Sequence, residues 1–259
     1  ANPVHLPSGN AVITFDHVSF AYPGAQQNVL EDISFTAAPG ETVAFIGSTG
    51  SGKSTLINLL PRFFDVTEGS IRFGDVDIRD VTQHELRDRI GYIPQKGVLF
   101  SGTIESNLRY GDEHADQDAI ENALVVSQAK EFVSAMDEGI ASPIAQGGTN
   151  VSGGQKQRLS IARALVRKAD VYIFDDTFSA LDYKTDASLR QALHEMIEKT
   201  HATVLIVAQR ISTIRNADRI VVLDEGKIAG IGTHEELMKG CAVYQEIARS
   251  QLNQEELAK

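Results

Sequence analysis

Thr42-Val43-Ala44-Phe45-Ile46-Gly47-Ser48-Thr49-Gly50-Ser51-Gly52-Lys53-Ser54 opens as a nearly continuous apolar run and ends in a glycine-rich turn. The run reads as a buried parallel strand. Residues 47–54 match G-x-x-x-x-G-K-[ST], set between that strand and a helix predicted over 53–60, which Pro61 stops. Glycines let backbone N–H groups turn inward as an anion-binding nest, and the helix N-terminus adds its dipole. Lys53 brings a point charge for β- and γ-phosphates, and the Ser54 hydroxyl can ligate Mg²⁺. Nucleotide binding is therefore expected at Gly47, Ser48, Thr49, Gly50, Ser51, Gly52, Lys53, Ser54 and Thr55.

Outward from this turn, β-like patterns run over 12–20 and 33–36, and further strands are predicted at 70–73, 90–93, 171–174, 203–207 and 219–223. Strands separated by helices imply a parallel sheet covered on both faces. Residues 103–169 read as mainly helical around the breaker-rich Ala145-Gln146-Gly147-Gly148-Thr149-Asn150, which suggests an inserted helical subdomain at about 100–168. Residues 1–11 read as a linker and 251–259 as a tail with a solvated acidic end. The body, 12–250, reads as one unit with lobes.

Composition narrows the partners. The 259 residues carry a net charge of −11, which disfavours a nucleic-acid backbone as main partner. Hydrophobic residues at 42% and charged residues at 23% are ordinary for a soluble globular chain. No apolar run approaches the roughly 18 residues that span a bilayer. The single cysteine, Cys241, cannot form an internal disulfide, so a reducing compartment and an inert thiol are expected. His17, His84, His114, His194, His201 and His234 show no metal-ligand spacing.

Val171-Tyr172-Ile173-Phe174-Asp175 presents a carboxylate at the end of an apolar strand, where it can hold Mg²⁺ beside Ser54. Shortly before it stands Val151-Ser152-Gly153-Gly154-Gln155, a glycine turn capping a helix through Ser152. That segment resembles the signature sequence of ABC ATPases, and several motifs recur in family order over about residues 12–250. The resemblance implies a P-loop NTPase, RecA-like α/β fold with a parallel-sheet core, an N-terminal antiparallel β subdomain and the helical insertion. It implies that Val151, Ser152, Gly153, Gly154 and Gln155 contact the γ-phosphate of a partner domain's ATP. By the same resemblance, Tyr22 stacks on adenine, Gln95 contacts Mg²⁺, and Ser179, Ala180, Leu181 and Asp182 cross the dimer interface. The segment Phe100-Ser101-Gly102-Thr103-Ile104, with Asn107, is similar to the exporter subfamily, as is Ala145-Gln146-Gly147-Gly148, although many exporters have Glu where Gln146 stands. An exporter domain of this kind works at the cytoplasmic face of the membrane with Mg-ATP, a transmembrane domain and a second ATPase domain.

Two positions depart from the family's pattern. The water-polarising glutamate expected after the Mg²⁺-binding aspartate is Asp176, one methylene shorter and so set back by about 1 Å, a misplacement that can cost ~100-fold in rate. The histidine expected at the γ-phosphate is Gln209, which donates a hydrogen bond but carries no charge. Together they resemble the weakened half of a heterodimeric exporter, with a slow site of its own and a signature that completes the partner's site. A non-hydrolysing regulatory module and a homodimer tolerant of both changes are the competing readings.

Overall fold

The computed structural model describes residues 4–257, with side chains described as far as Gln251. The chain begins with β1 (Ile13–Phe20), β2 (Leu30–Ala37), β3 (Thr42–Gly47), α1 (Lys53–Asn58), β4 (Glu68–Phe73), β5 (Val76–Asp77), α2 (Gln83–Asp88) and β6 (Ile90–Ile93). Its middle holds β7 (Gly102–Thr103), α3 (Ile104–Arg109), α4 (Gln117–Val126), α5 (Lys130–Ser134), β8 (Pro143–Ile144) and α6 (Gly153–Val166). Then follow β9 (Val171–Asp175), α7 (Tyr183–Thr200), β10 (Thr203–Val207), α8 (Ile211–Ile214), β11 (Arg219–Asp224), β12 (Lys227–Gly232), α9 (His234–Gly240) and α10 (Ala242–Leu257).

The central sheet has the order β12-β11-β3-β10-β9-β6, with β11, β3, β10, β9 and β6 parallel and β12 antiparallel at one edge. A separate antiparallel sheet, β2-β1-β4-β5, comes from the N-terminal third. This is the mixed α/β architecture, a parallel-sheet core with an N-terminal antiparallel sheet, that the resemblance implies.

The apolar strands read as continuous runs because both of their faces are covered, and alternation divides them between two cores. Ala44, Ile46, Phe174, Ile206 and Val222 join one core, with α6, α7, α8 and α10. Val43, Phe45, Ile173, Leu205 and Val221 join the other, with α1 and the antiparallel sheet. An aromatic column ties the two sheets together: Phe15 stacks on Phe35 at 4.5 Å, and Phe35 meets Phe45 edge-on at 5.3 Å.

Several details differ from expectation. The central segment holds helices α3 to α6, but Gly102–Thr103 and Pro143–Ile144 pair as a small antiparallel ladder inside it. Helix α1 ends at Asn58 rather than Leu60, because Leu59 N bonds Leu56 O and tightens the last turn before Pro61. Strand β12 was hidden by its glycines at 230 and 232. The N-terminal segment is tied down: Val4 N donates to Asp80 O (3.0 Å), Leu6 N to Glu85 Oε1 (2.8 Å), and Arg89 Nη2 to the carbonyls of Pro7 (3.0 Å) and Gly9 (2.7 Å). Residues 1–3 and 258–259 of the expected linker and tail lie outside the described residues, as do the side chains of the acidic end 254–257, where the backbone continues α10. Among the described residues no helix is long and apolar enough to cross a membrane. Cys241 is buried.

If the Phe15–Phe35–Phe45 column joins the two sheets, Phe15→Ala destabilises the whole chain by about 3–5 kcal/mol. Urea unfolding followed by circular dichroism and by tyrosine fluorescence should show one shifted transition; separate melting of the antiparallel sheet would contradict that coupling.

Candidate functional site

Strand β3 ends at Gly47, where a side chain has no room. A Cβ there would lie 2.3 Å from Leu223 O and 2.6 Å from Ser51 Oγ. The loop turns through Ser51 N to Ser48 O (3.1 Å) and enters α1 at Gly52. Two features there require glycine: a φ of 98°, and the closeness of Leu30 Cδ2, which any Cβ would meet at 2.7 Å. Because Gly52 is the N-cap, no side chain caps the first turn of α1, and its N–H groups stay available to an anion. Lys53 curls back over the loop: Nζ donates to Gly47 O (2.8 Å), Ser48 O (2.9 Å) and Ser51 Oγ (3.3 Å). Burial lowers the pKa of this ammonium, and the carboxylates of Asp176 and Asp175 oppose that shift. Uncapped N–H groups at a helix start with a lysine folded over the loop suit the charge of a polyphosphate.

Strand β9 delivers Asp175 to the same place, and Ser54 Oγ donates to Asp175 Oδ1 at 2.9 Å. A hydroxyl and a carboxylate this close are oxygen donors of the kind a hard divalent cation takes, so the pair fits Mg²⁺. Two residues behind them carry no signal in the sequence. Tyr92 OH, from β6, donates to Asn58 Oδ1 (2.9 Å) and approaches Asp175 Oδ2 (3.3 Å), which orients the carboxylate from behind. Burial is the largest reason that the Tyr92 phenol is held well above its usual pKa.

Asp176 follows in a left-handed conformation, φ 50° and ψ 33°, which Asp tolerates better than most residues. Its Oδ2 accepts from Gln209 Nε2 at 2.6 Å and from Gln95 Nε2 at 3.0 Å. Burial raises its pKa, while the Gln209 and Gln95 hydrogen bonds pull it down. Two amides thus converge on one oxygen, and among the described residues no hydrogen bond reaches Oδ1. Gln95, expected near the cation, here points its amide at Asp176. Arg210, equally silent in the sequence, bonds Phe178 O (2.7 Å) and the buried Asp186 (3.3 Å), fixing the loop that follows Asp176.

Tyr22 sits where its hydroxyl meets Thr55 Oγ1 at 2.8 Å, and edge-on contacts with Phe20 and Phe64 leave the residue 38% exposed. Ser179 Oγ donates to Asp176 O (2.9 Å), and Asp182 caps α7 through Thr185 N (2.9 Å), so the loop of Ser179, Ala180, Leu181 and Asp182 hangs directly from the Asp176 turn. Ser152 and Gln155 form a reciprocal capping box on α6, each bond 3.1 Å. Among the described residues no hydrogen bond joins this segment to the phosphate loop. Gly153 and Gly154 face open space, with nothing within 4 Å of an added Cβ, so the chain's own packing does not require them. Val151 packs against the helical core.

Tyr92→Phe removes the hydroxyl that bridges Asn58 and Asp175 and should cost about 1 kcal/mol in chemical denaturation. Adding Asn58→Ala should cost less than the sum of the two single changes, because both act on one bond.

Comparison with known proteins places this geometry. The ABC transporter family model matches residues 30–179, more than half of the chain, from β2 through the phosphate loop, residues 151–155 and Asp176. An ABC transporter ATP-binding protein of Mycobacterium tuberculosis is 47% identical over 254 residues, covering 96% of this chain and 43% of that protein. An ATP-dependent lipid A-core flippase of Bordetella avium is 41% identical over 244 residues, covering 94% of this chain and 41% of the flippase. The solved structure of a bacterial Atm1-family ABC exporter with ATP bound superposes with a TM-score of 0.91 at 36% identity, over 97% of this chain and 44% of that one. The chain therefore spans less than half the length of each of these relatives. A loop that requires glycine at Gly47 and Gly52 and carries Lys53 at a strand end, and a family model that runs through it, lead to one conclusion: the chain belongs to the ABC transporter family and is an ATP-binding domain of that family.

Proposed function

We propose that this chain is the nucleotide-binding domain of an exporter half-transporter and the weakened half of an asymmetric pair. Residues 47–55 bind the phosphates, with Lys53 as their charge. Ser54 and Asp175 would hold Mg²⁺, with Gln95 as the further metal-contacting side chain, and Tyr22 would support the adenine. The metal, when bound, neutralises charge building up between the β- and γ-phosphates. Residues 151–155 face the ATP of a second ATPase domain, and Ser179–Asp182 cross to it; a transmembrane domain receives the closing motion. The relatives named for export, and their greater length, support that setting at the cytoplasmic face of the membrane.

The observation that carries the asymmetry is the Asp176 cluster. A general base must reach the water it polarises. Asp176 is short, and its Oδ2 is already held by Gln209 and Gln95 at 2.6 and 3.0 Å. Gln209 supplies a neutral donor where a protonated imidazole would supply charge. The chain's own site accordingly binds ATP and turns it over slowly. Residues 151–155 keep an intact cap and open glycines for the partner's site, which explains why Gly153 and Gly154 stand where the fold does not need them.

In a reconstituted pair, Asp176→Glu with Gln209→His should raise hydrolysis at this chain's site by about 100-fold, as restored reach to the water would give. Ser152→Ala should remove most turnover at the partner's site and leave Mg-ATP affinity at this chain's loop unchanged. Lys53→Ala should weaken that affinity by about 10- to 100-fold, the worth of one charge-assisted contact. Single-turnover hydrolysis of labelled ATP reads each site separately. Wild-type turnover equal at both sites would contradict the asymmetry, and none at this chain's site would make it a holding module.

A further inference from the structure

The switch segment that carries Gln209 is held from outside by the C-terminal helix. Helix α8 begins at Ile211, and its N-cap, Arg210, makes no side-chain cap hydrogen bond. The missing acceptor arrives from 40 residues downstream: Ile211 N donates to Gln251 Oε1 at 2.8 Å. The other end of the same carboxamide donates back, Gln251 Nε2 to Gln209 O at 2.5 Å. One side chain on α10 thus satisfies an orphan N–H of a helix start and fixes the carbonyl of the residue whose amide reaches Asp176.

Arg210 ties the same segment to Phe178 O and Asp186 from the inner side, and Gln251 holds it from the side of α10. Beside Gln251, between α8, α9 and α10, lies a cavity of about 190 Å³ lined by Ile211, Arg215, His234, Met238 and Ala248 among others. The body of α10 is seated further back, where Tyr244 is fully buried and its hydroxyl meets His234 Nδ1 at 2.8 Å. Across the gap, among the described residues, the two hydrogen bonds of Gln251 link α10 to the switch directly.

We propose that Gln251 is a positioning residue for Gln209: through it, α10 sets the backbone of residues 209–211 and so the contact between Gln209 and Asp176. This rests on the reading that Gln209 serves the γ-phosphate position. It adds that the C-terminal helix tunes that position without touching nucleotide.

The test combines two measurements on the full chain. In ¹⁵N-labelled protein without nucleotide, Gln251→Met should shift the side-chain amide resonances of Gln209 and speed their hydrogen exchange by about tenfold, the mark of a lost local restraint. Gln251→Glu, which keeps the acceptor for Ile211 N and loses the donor to Gln209, should shift them in the same direction and serves if the Met variant loosens the fold. Glu246→Gln, on the exposed side of α10, should leave them in place. In single-turnover hydrolysis with the partner domain, Gln251→Met should change the rate about fivefold in the wild-type background and less than about twofold beside Gln209→Ala, the non-additivity expected of residues acting through one another. Unmoved Gln209 resonances, or equal rate effects in both backgrounds, would overturn the proposal. Absence of Mg-ATP binding would instead remove the reading of the site, while the resonances still judge the role of Gln251.

Discussion

Everything in this molecule hangs on a turn that has no space for a side chain at two of its positions, Gly47 and Gly52. At Gly47 the chain passes so close to the Leu223 carbonyl that a single Cβ would collide with backbone, and at Gly52 it takes a φ of 98° beside Leu30. The turn is wedged between β11 and the start of β2, and Gly226 N bonds Ser51 O at 3.2 Å to close the wedge. Backbone held this way costs little to reorganise when an anion arrives, because the first turn of α1 enters the loop with no side chain capping its N–H groups. The constraint is mutual: the strands shape the loop, and the loop fixes how closely the strands can pack.

The parallel order of the central sheet then decides what else can stand near the loop. Strands β3, β10, β9 and β6 all end on one side, so the residues just past them converge: the phosphate loop after β3, Asp175 and Asp176 at β9, Gln209 after β10 and Gln95 after β6. Distances of 2.6 to 3.0 Å among Gln209, Asp176, Gln95, Ser54 and Asp175 follow from that convergence. Residues 151–155 start α6 at a different place, capped, with glycines open to the outside. These two separate surfaces are the ground for the proposed pairing with a second ATPase domain.

The sequence made the loop legible because its mechanism is local: eight consecutive residues carry the glycines, the lysine and the hydroxyl. The buried strands were legible for the same reason, since coverage on both faces writes itself as an apolar run. Asp176 and Gln209 stood out against a family pattern, but their mutual hydrogen bond did not, because it joins residues 33 positions apart. Tyr92 stands three residues before Gln95 with nothing local to mark it; only the fold brings its hydroxyl to Asp175. Gln251, on a helix read only as an ending, gave no local signal at all. The short β7–β8 ladder and β12 were hidden by glycine and proline content that says turn, and tertiary pairing overrode it.

At the centre of the proposed function stands a triphosphate held by the amides of residues 47–54 with Lys53. Equilibrium titration of the purified chain with Mg-ATP tests it most directly. Saturable binding of one equivalent is expected, competed by ADP, with AMP a poor competitor because it lacks the β-phosphate that Lys53 would hold. No saturable binding, with the chain alone or paired with a second ATPase domain, would contradict it.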